Sequence, residues 1–418
     1  MADDLKKAYR TILEDHFPDK MRIVFGGAAR EQTLFYERVT WDIEGERRGL
    51  RYGENPGQEA ALYRHVNGNL TLGAVTSIAP GRWLASDVEL LQSGKHPGKI
   101  NITDADNALN IIRYFTDRPC VAIMKHNNPS GVALGASPAE AYVRADMADR
   151  VAAFGGCIAF NRAVDREAAD EIAKRYAEVV VAPEFEDGAM EILTQKKNLR
   201  IMRIARMDRL HEFVAQPFVD FKSMIDGGLV AQWSYTPQVR TREGLVPATT
   251  SYKGQTFAIR RKPSEQELDD MLFGWLVESG VTSNSVIYVR DGVTIGIGTG
   301  EQDRVGVAEI ARDKAYRKLA DRICFERMGL SLYELIAKNP QRAEQIQRDA
   351  AELKGGLQGS VMISDGFFPF RDGIEVGLRE GVKAIVQPGG SIMDWDCIEA
   401  CNEAGATMVF TGERSFKH

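Results

Sequence analysis

A lysine, a histidine and two amides stand side by side at Lys125-His126-Asn127-Asn128, followed by Pro129-Ser130-Gly131. Imidazole titrates near neutrality and burial can push a lysine toward it, so the pair suits proton transfer. The preceding run, Cys120-Val121-Ala122-Ile123-Met124, has the length and apolar composition of a buried strand. Pro129 and Gly131 read as the turn after it. The polar residues are thus delivered at the end of a core strand, where open α/β sheets place their ligands. The competing reading is a polar loop with an incidental Lys-His pair, and other stretches must decide.

Several do carry unusual residues. Leu50-Arg51-Tyr52-Gly53-Glu54-Asn55-Pro56-Gly57-Gln58 is either a plain turn or a grip for an anionic, planar ligand. Ser283-Asn284-Ser285 either turns the chain or points the Asn284 amide into a cleft. Gly296-Ile297-Gly298-Thr299-Gly300 leaves a strand and enters a helix, where backbone amides can bind phosphate. It lacks the third glycine of the dinucleotide fingerprint, which argues against a nicotinamide oxidoreductase and for a close-packed hairpin end. Ser364-Asp365-Gly366-Phe367-Phe368-Pro369-Phe370-Arg371-Asp372 sets three phenylalanines around a proline directly after a strand. A core accounts for one or two of these rings, and a platform for a flat heterocycle accounts for the stretch better. The terminal Arg414-Ser415-Phe416-Lys417-His418 is either a frayed end or a way to bring an arginine to a phosphate or carboxylate.

Elements must carry these residues together. Thr103 with Asp106 reads as a helix cap before the stripe Ala105, Ala108, Leu109, Ile112 and Phe115. Ser137-Pro138-Ala139-Glu140 is a capping box that opens a helix to about residue 153. Strands follow at 157–160, 178–182 and 199–204, separated by helices from Asp165 and near 188–196. Ser264 with Glu267 caps a helix to 278, and Asp291-Gly292 joins the runs 286–290 and 293–298 as a hairpin. A helix at 305–319 and a charged helical piece at 331–354 precede strands at 361–364, 384–387 and 407–411, with helices at 374–380 and 393–404 between them. This alternation indicates an α/β fold with a mainly parallel, helix-covered sheet. Residues 1–48 show no clear period and read as an irregular, partly helical leader. The two halves share an order of apolar strand, polar loop, glycine-rich return and helix, which suggests an internal duplication.

Composition sets the frame. The 418 residues suffice for two or three domains with real cores. At 44% hydrophobic, 27% charged and net charge -6, the chain is an ordinary globular protein without a basic surface for nucleic acid. No apolar run reaches the roughly 20 residues of a membrane span, and the acidic start has no signal core, so the expected location is cytoplasmic. Five scattered cysteines suggest reduced thiols, and Cys397 and Cys401 have no second Cys/His pair with zinc spacing.

Taken in order, Arg51-Tyr52-Gly53 with Asn55-Pro56, Lys125-His126-Asn127, Phe154-Gly155, Ser283-Asn284-Ser285, Gly296–Gly300 with Arg304, Ser364-Asp365 with Phe367–Asp372, and Arg414-x-Phe-x-His418 resemble the AICAR transformylase part of the bifunctional purine-synthesis family, transformylase/IMP cyclohydrolase. The likeness covers roughly residues 49–418. The cyclohydrolase part precedes it in that family, and residues 1–48 are too short to replace it. The resemblance implies two cytidine-deaminase-like three-layer domains without the deaminase zinc. They are expected at 49–221, with a helical insert at 324–357, and at 222–323 with 358–418. It implies formyl transfer from 10-formyltetrahydrofolate to the 5-amine of AICAR, by a homodimer with sites built across the interface. His126 would manage the amine proton, Lys125 would assist proton transfer or stabilise the oxyanion, and Asn284 would hold substrate. Arg51, Tyr52, Gly155, Glu178, Phe367 and Arg414 would line the nucleotide site, and Phe154, Val305, Pro369 and Phe370 would face the folate. Asp372 would sit near the folate or the catalytic pair. A monovalent cation, potassium, would be held by carbonyls near Ser283, Ser285 and Asp365. Glu178 stands where the family has aspartate, and Gly57 and Lys417 where it has histidines. The alternative is a catalytically silent nucleotide- or folate-binding module of the same fold.

Overall fold

The computed structural model describes residues 11–12, 16–26, 30–55 and 58–418. Residues 1–10, 13–15 and 27–29 of the expected leader, and Pro56 and Gly57 of the arginine–tyrosine loop, lie outside them. The chain forms two compact units. One comprises Met1–Leu109, Arg113–Asp117 and Gly155–Thr236; the other comprises Asn110–Ile112, Arg118–Phe154 and Pro237–His418. Residues 118–154 and the helical piece after residue 323 fall in the second of these units.

The first unit carries the parallel strands Cys157–Phe160, Val179–Ala182 and Arg200–Arg203, with Glu89–Gln92 antiparallel at the edge. Helices Arg166–Ala173 and Asp187–Leu193 make the crossovers. The described part of the expected leader is largely strand. Lys20–Phe25 pairs with Gln32–Arg38, which pairs in turn with Tyr63–Asn67. Its period was illegible because both faces of these strands are half-exposed, so no apolar alternation marks them. Thr103 is not a cap either. The helix Lys99–Ile112 starts earlier, and the Thr103 hydroxyl donates to the Ile100 carbonyl at 3.2 Å inside it.

The second unit orders its strands Val246–Pro247, Thr407–Phe410, Ala384–Gln387, Val361–Ser364, Ser285–Arg290, Val293–Thr299, Asn128–Leu134 and Cys120–Lys125. One device occurs twice here. Cys120–Lys125 turns through His126 and Asn127 (φ 52° and 61°) into Asn128–Leu134, with a bulge between Pro129 and Gly131. Ser285–Arg290 turns through Asp291 and Gly292 (φ 56° and 69°) into Val293–Thr299, whose register shifts between Thr294 and Gly296. Positive φ at both turn residues is the geometry that matches strand twist in a two-residue hairpin. After each bulge comes a glycine against a helix. A Cβ on Gly131 would lie 2.1 Å from the Ala145 carbonyl oxygen, and one on Gly296 would lie 2.4 Å from that of Ala311. The helices concerned are Pro138–Ala148 and Arg304–Met328, the latter longer than expected. Gly298 packs likewise against Val307, so the glycine-rich stretch serves helix docking.

The core under this sheet is built from Val286, Tyr288, Val307, Ala311, Met362, Phe368, Ile385, Ile398 and Met408. Cys397 and Cys401 lie fully buried in it as free thiols, and burial pushes Cys397 up to about 12. Among the described residues no helix is long and apolar enough to cross a membrane.

Candidate active site

Five consecutive buried residues, Cys120 to Met124, anchor the first hairpin in the sheet, so its tip can be polar. Pro129 and Gly131 do not make the turn. They lie in the return strand, opposite Met124 and Ile123, and the bulge between them releases Ser130, whose hydroxyl donates to the Ile123 carbonyl at 3.1 Å. The turn itself is His126-Asn127. Lys125 ends the strand, and its Nζ donates to the Phe154 carbonyl at 2.6 Å. That contact aims the ammonium and leaves it two further donors. Lys125 and His126 line a cleft of about 640 Å³ with Pro129, Asp149, Ile297 and Lys314. Burial lowers the Lys314 pKa.

The tip is tied to the 282–284 segment. Asn128 Oδ1 accepts the Thr282 amide at 2.9 Å, and Lys417 Nζ donates to the Asn127 carbonyl at 3.4 Å while the Lys417 carbonyl accepts from Ser283 N at 2.9 Å. The Ser283–Asn284 peptide is cis. Asn284 Nδ2 donates to the Gln302 carbonyl at 3.1 Å, and its Oδ1 accepts from Arg304 Nη2 at 2.9 Å. Arg304 is 8% exposed; its Nη1 donates to Asp365, to Ser364 Oγ at 3.0 Å and to the Ser285 carbonyl at 3.3 Å. Asp365, fully buried, also accepts from Ser283 Oγ at 2.5 Å. Behind it Glu278, fully buried, accepts from Ser285 Oγ at 2.9 Å. Burial, and then the neighbouring Asp365, push the Glu278 carboxyl well above its ordinary value. Arg304 and Glu278 hold this network together, yet only Arg304 stood out in the sequence, and only as a residue following a glycine loop.

The side-chain oxygens of Ser283, Ser285 and Asp365 are all engaged in hydrogen bonds, and so are the Ser285 and Asp365 carbonyls. Among the described residues no group of three His, Cys, Asp or Glu side chains is placed to hold a metal.

The aromatic stretch divides. Phe368 is fully buried in the core, whereas Phe367, Pro369 and Phe370 are exposed. The platform therefore loses one ring. Arg371 and Asp372 belong to the first turn of the helix Arg371–Arg379, which starts before the expected residue 374. Asp372 is exposed and accepts from Gly373 N at 2.8 Å. Val305 is half-buried against the core. The guanidinium of Arg414 sits 4.8 Å from the centre of the Phe416 ring.

The first unit holds a second cluster. Arg51, 9% exposed, donates to the Tyr52 hydroxyl at 2.9 Å, with its guanidinium 4.4 Å from that ring's centre. Gly155 (φ 72°) donates to the Tyr176 carbonyl at 2.9 Å, and a Cβ there would sit 3.7 Å from Glu178 Oε1. Glu178 lies 3.7 Å from Arg200, a buried guanidinium that sequence reading passed over as a strand residue.

Two comparisons bear on this arrangement. Residues 8–314 match the family model described as AICARFT/IMPCHase bienzyme. The bifunctional purine biosynthesis protein PurH of Aquifex aeolicus (strain VF5) is 36% identical over 369 residues, which is 88% of this chain and 59% of that protein. The chain thus spans somewhat over half the length of its relative. On both grounds, with its lysine–histidine hairpin in place, the chain belongs to the AICARFT/IMPCHase bienzyme family.

Proposed function

We propose that the protein transfers a formyl group from 10-formyltetrahydrofolate to the 5-amine of AICAR, giving FAICAR and tetrahydrofolate in purine biosynthesis. The observation that carries this is the coupling of the Lys125-His126 tip to the Asn284 segment through Asn128–Thr282 and Lys417. Those ties join the Asn284 segment to the hairpin whose Lys125 and His126 line the cleft, which supports a shared site.

The chemistry needs those types. The amine is conjugated into an imidazole carboxamide and attacks weakly, so His126 takes its proton as the new C–N bond forms. The adduct oxygen becomes negative, and Lys125, aimed by the Phe154 carbonyl, stabilises it. As the bond from the formyl carbon to N10 of the folate breaks, that nitrogen receives a proton from the pair. Asn284, steadied by Arg304, holds substrate beside the transfer centre. Arg51, Tyr52, Gly155, Glu178, Phe367 and Arg414 receive the nucleotide. Phe154, Val305, Pro369 and Phe370 receive the folate, with Asp372 near it. Potassium, if bound, uses carbonyls near Ser283, Ser285 and Asp365, and no step passes through it. The twice-used hairpin–bulge–helix device and the parallel strand triplet in each unit support two cytidine-deaminase-like domains related by duplication.

Tetrahydrofolate release from AICAR and 10-formyltetrahydrofolate is the test. Lys125→Ala and His126→Ala should each lower kcat by about 10²–10⁴ with folding intact. AICAR binding without turnover in the unaltered protein would instead identify a silent binding module.

A further inference from the structure

Arg200 is the most enclosed charge of the first-unit cluster. Its side chain is 2% exposed, against 41% for Glu178. A guanidinium so deep requires compensation, yet its contacts are long. Nη1 reaches the Glu178 carbonyl at 3.4 Å and Glu178 Oε2 at 3.7 Å, Nη2 reaches the His96 carbonyl at 3.5 Å, and Nε has no hydrogen-bond partner. Burial and the like charge of Arg51 pull the Arg200 pKa down to about 10, while Glu178 opposes them. Arg200 therefore remains charged at neutral pH, and among the described residues the carboxylate it reaches is that of Glu178. The two oxygens of that carboxylate have different surroundings. Oε2 lies toward Arg200, and Oε1 lies beside the bare Cα of Gly155 and the Tyr176 ring.

We propose that Arg200 is a positioning residue: it holds Glu178 from behind through Oε2, so that Oε1 accepts hydrogen bonds from the hydroxyl or amine donors of the nucleotide, while Arg51 meets its anionic group. This rests on the transferase reading, and it names the residue that makes a glutamate work at this position. The longer side chain reaches Arg200 at 3.7 Å, and its other oxygen stands at ordinary contact distance from the Cβ position of Gly155.

Steady-state kinetics on the full chain test the assignment. Arg200→Met should raise the KM for AICAR about tenfold, with kcat within twofold and the KM for 10-formyltetrahydrofolate unchanged, a split that a general loss of structure would not give. Arg200→Lys should recover most of the loss. Glu178→Gln should resemble Arg200→Met, and the double variant should be no worse than Glu178→Gln alone, because one residue acts through the other. Multiplying effects, an unchanged AICAR KM, or equal changes in both KM values would overturn the proposal. Should Arg200→Met fail to melt cooperatively, Arg200→Lys, Glu178→Gln and their double variant carry the same comparison. If the unaltered protein shows no turnover, the transferase reading fails by itself. Calorimetric titration with AICAR then decides the role of Arg200: about tenfold weaker binding in Arg200→Met supports it, and unaltered or absent binding sinks it.

Discussion

Buried charge is where single residues matter most in this protein. Arg304 and Asp365, 8% and 0% exposed, form an ion pair that also clamps Asn284 and Ser283. Removing one partner of such a pair strands the other, which typically costs about 3–5 kcal/mol. Arg304→Met should therefore lower stability by about that amount in urea unfolding, and should abolish turnover through loss of the Asn284 clamp. A second effect follows from His96, which is 6% exposed and bonded to the Gly49 carbonyl. Burial, the largest cause, lowers its pKa, and the nearby arginines add to the shift. The unfolded chain therefore binds a proton that the folded one resists. Stability from this group is fully present above about pH 6.5 and is lost as pH falls through the lower folded value. Melting temperature should fall between pH 7.5 and pH 5, and His96→Gln should flatten that slope; an unchanged slope would remove His96 as its source.

At the scale of elements, the same hairpin is used twice with different tips. Lys125-His126 marks one, and Arg290-Asp291, an exposed ion pair at 3.5 Å, marks the other. A cleft of about 1070 Å³ lies against the second tip, where Arg290 and Asp291 stand in place of the lysine and histidine of the first, and Lys318 lines it too. Both hairpins depend on helices seated directly on glycine. Gly131→Ala and Gly296→Ala each thrust a methyl group into a helix carbonyl, so the helix must retreat from the sheet. Each should destabilise by about 1–3 kcal/mol, as overpacking does. On the proposed function Gly131→Ala should also reduce turnover, since the helix it seats packs against the hairpin that bears Lys125 and His126. Chemical denaturation with parallel assays checks both outcomes, and an unaffected midpoint would show that the sheet yields more than this packing suggests. The strand–helix alternation, the Asp-Gly turn and the Ser264 capping box were legible in sequence because each is written within a few neighbouring residues. The His-Asn turn was not, because Pro129 and Gly131 nearby carry the usual turn chemistry and a bulge had taken them into the strand.

For the whole molecule, the expected homodimer with shared sites makes a sharp prediction. If each site draws on two protomers, Arg51→Ala and His126→Ala chains, inactive alone, should recover activity when mixed and reassociated. Each mixed dimer then keeps one intact site, for about a quarter of full activity with random exchange between two symmetric subunits. No recovery, with dimers seen by light scattering, would place each site within one chain.

The sequence by itself determined the apolar strands, the helix capped by Ser264 and the family to which its separated motifs point. These are properties of local periodicity and of residue types in order, and they need no knowledge of distant contacts. Tertiary structure alone decided that Lys20–Phe25 and Gln32–Arg38 join a sheet, that Phe368 leaves the aromatic platform for the core, and that the glycines at 296 and 298 seat a helix. It also decided that Arg200 and Arg304 lie buried against partners 22 and 61 residues away in the chain, and that Glu278 lies fully buried. A charged residue reads as surface until folding encloses it, because the partner that makes burial tolerable comes from packing and not from its neighbours in sequence.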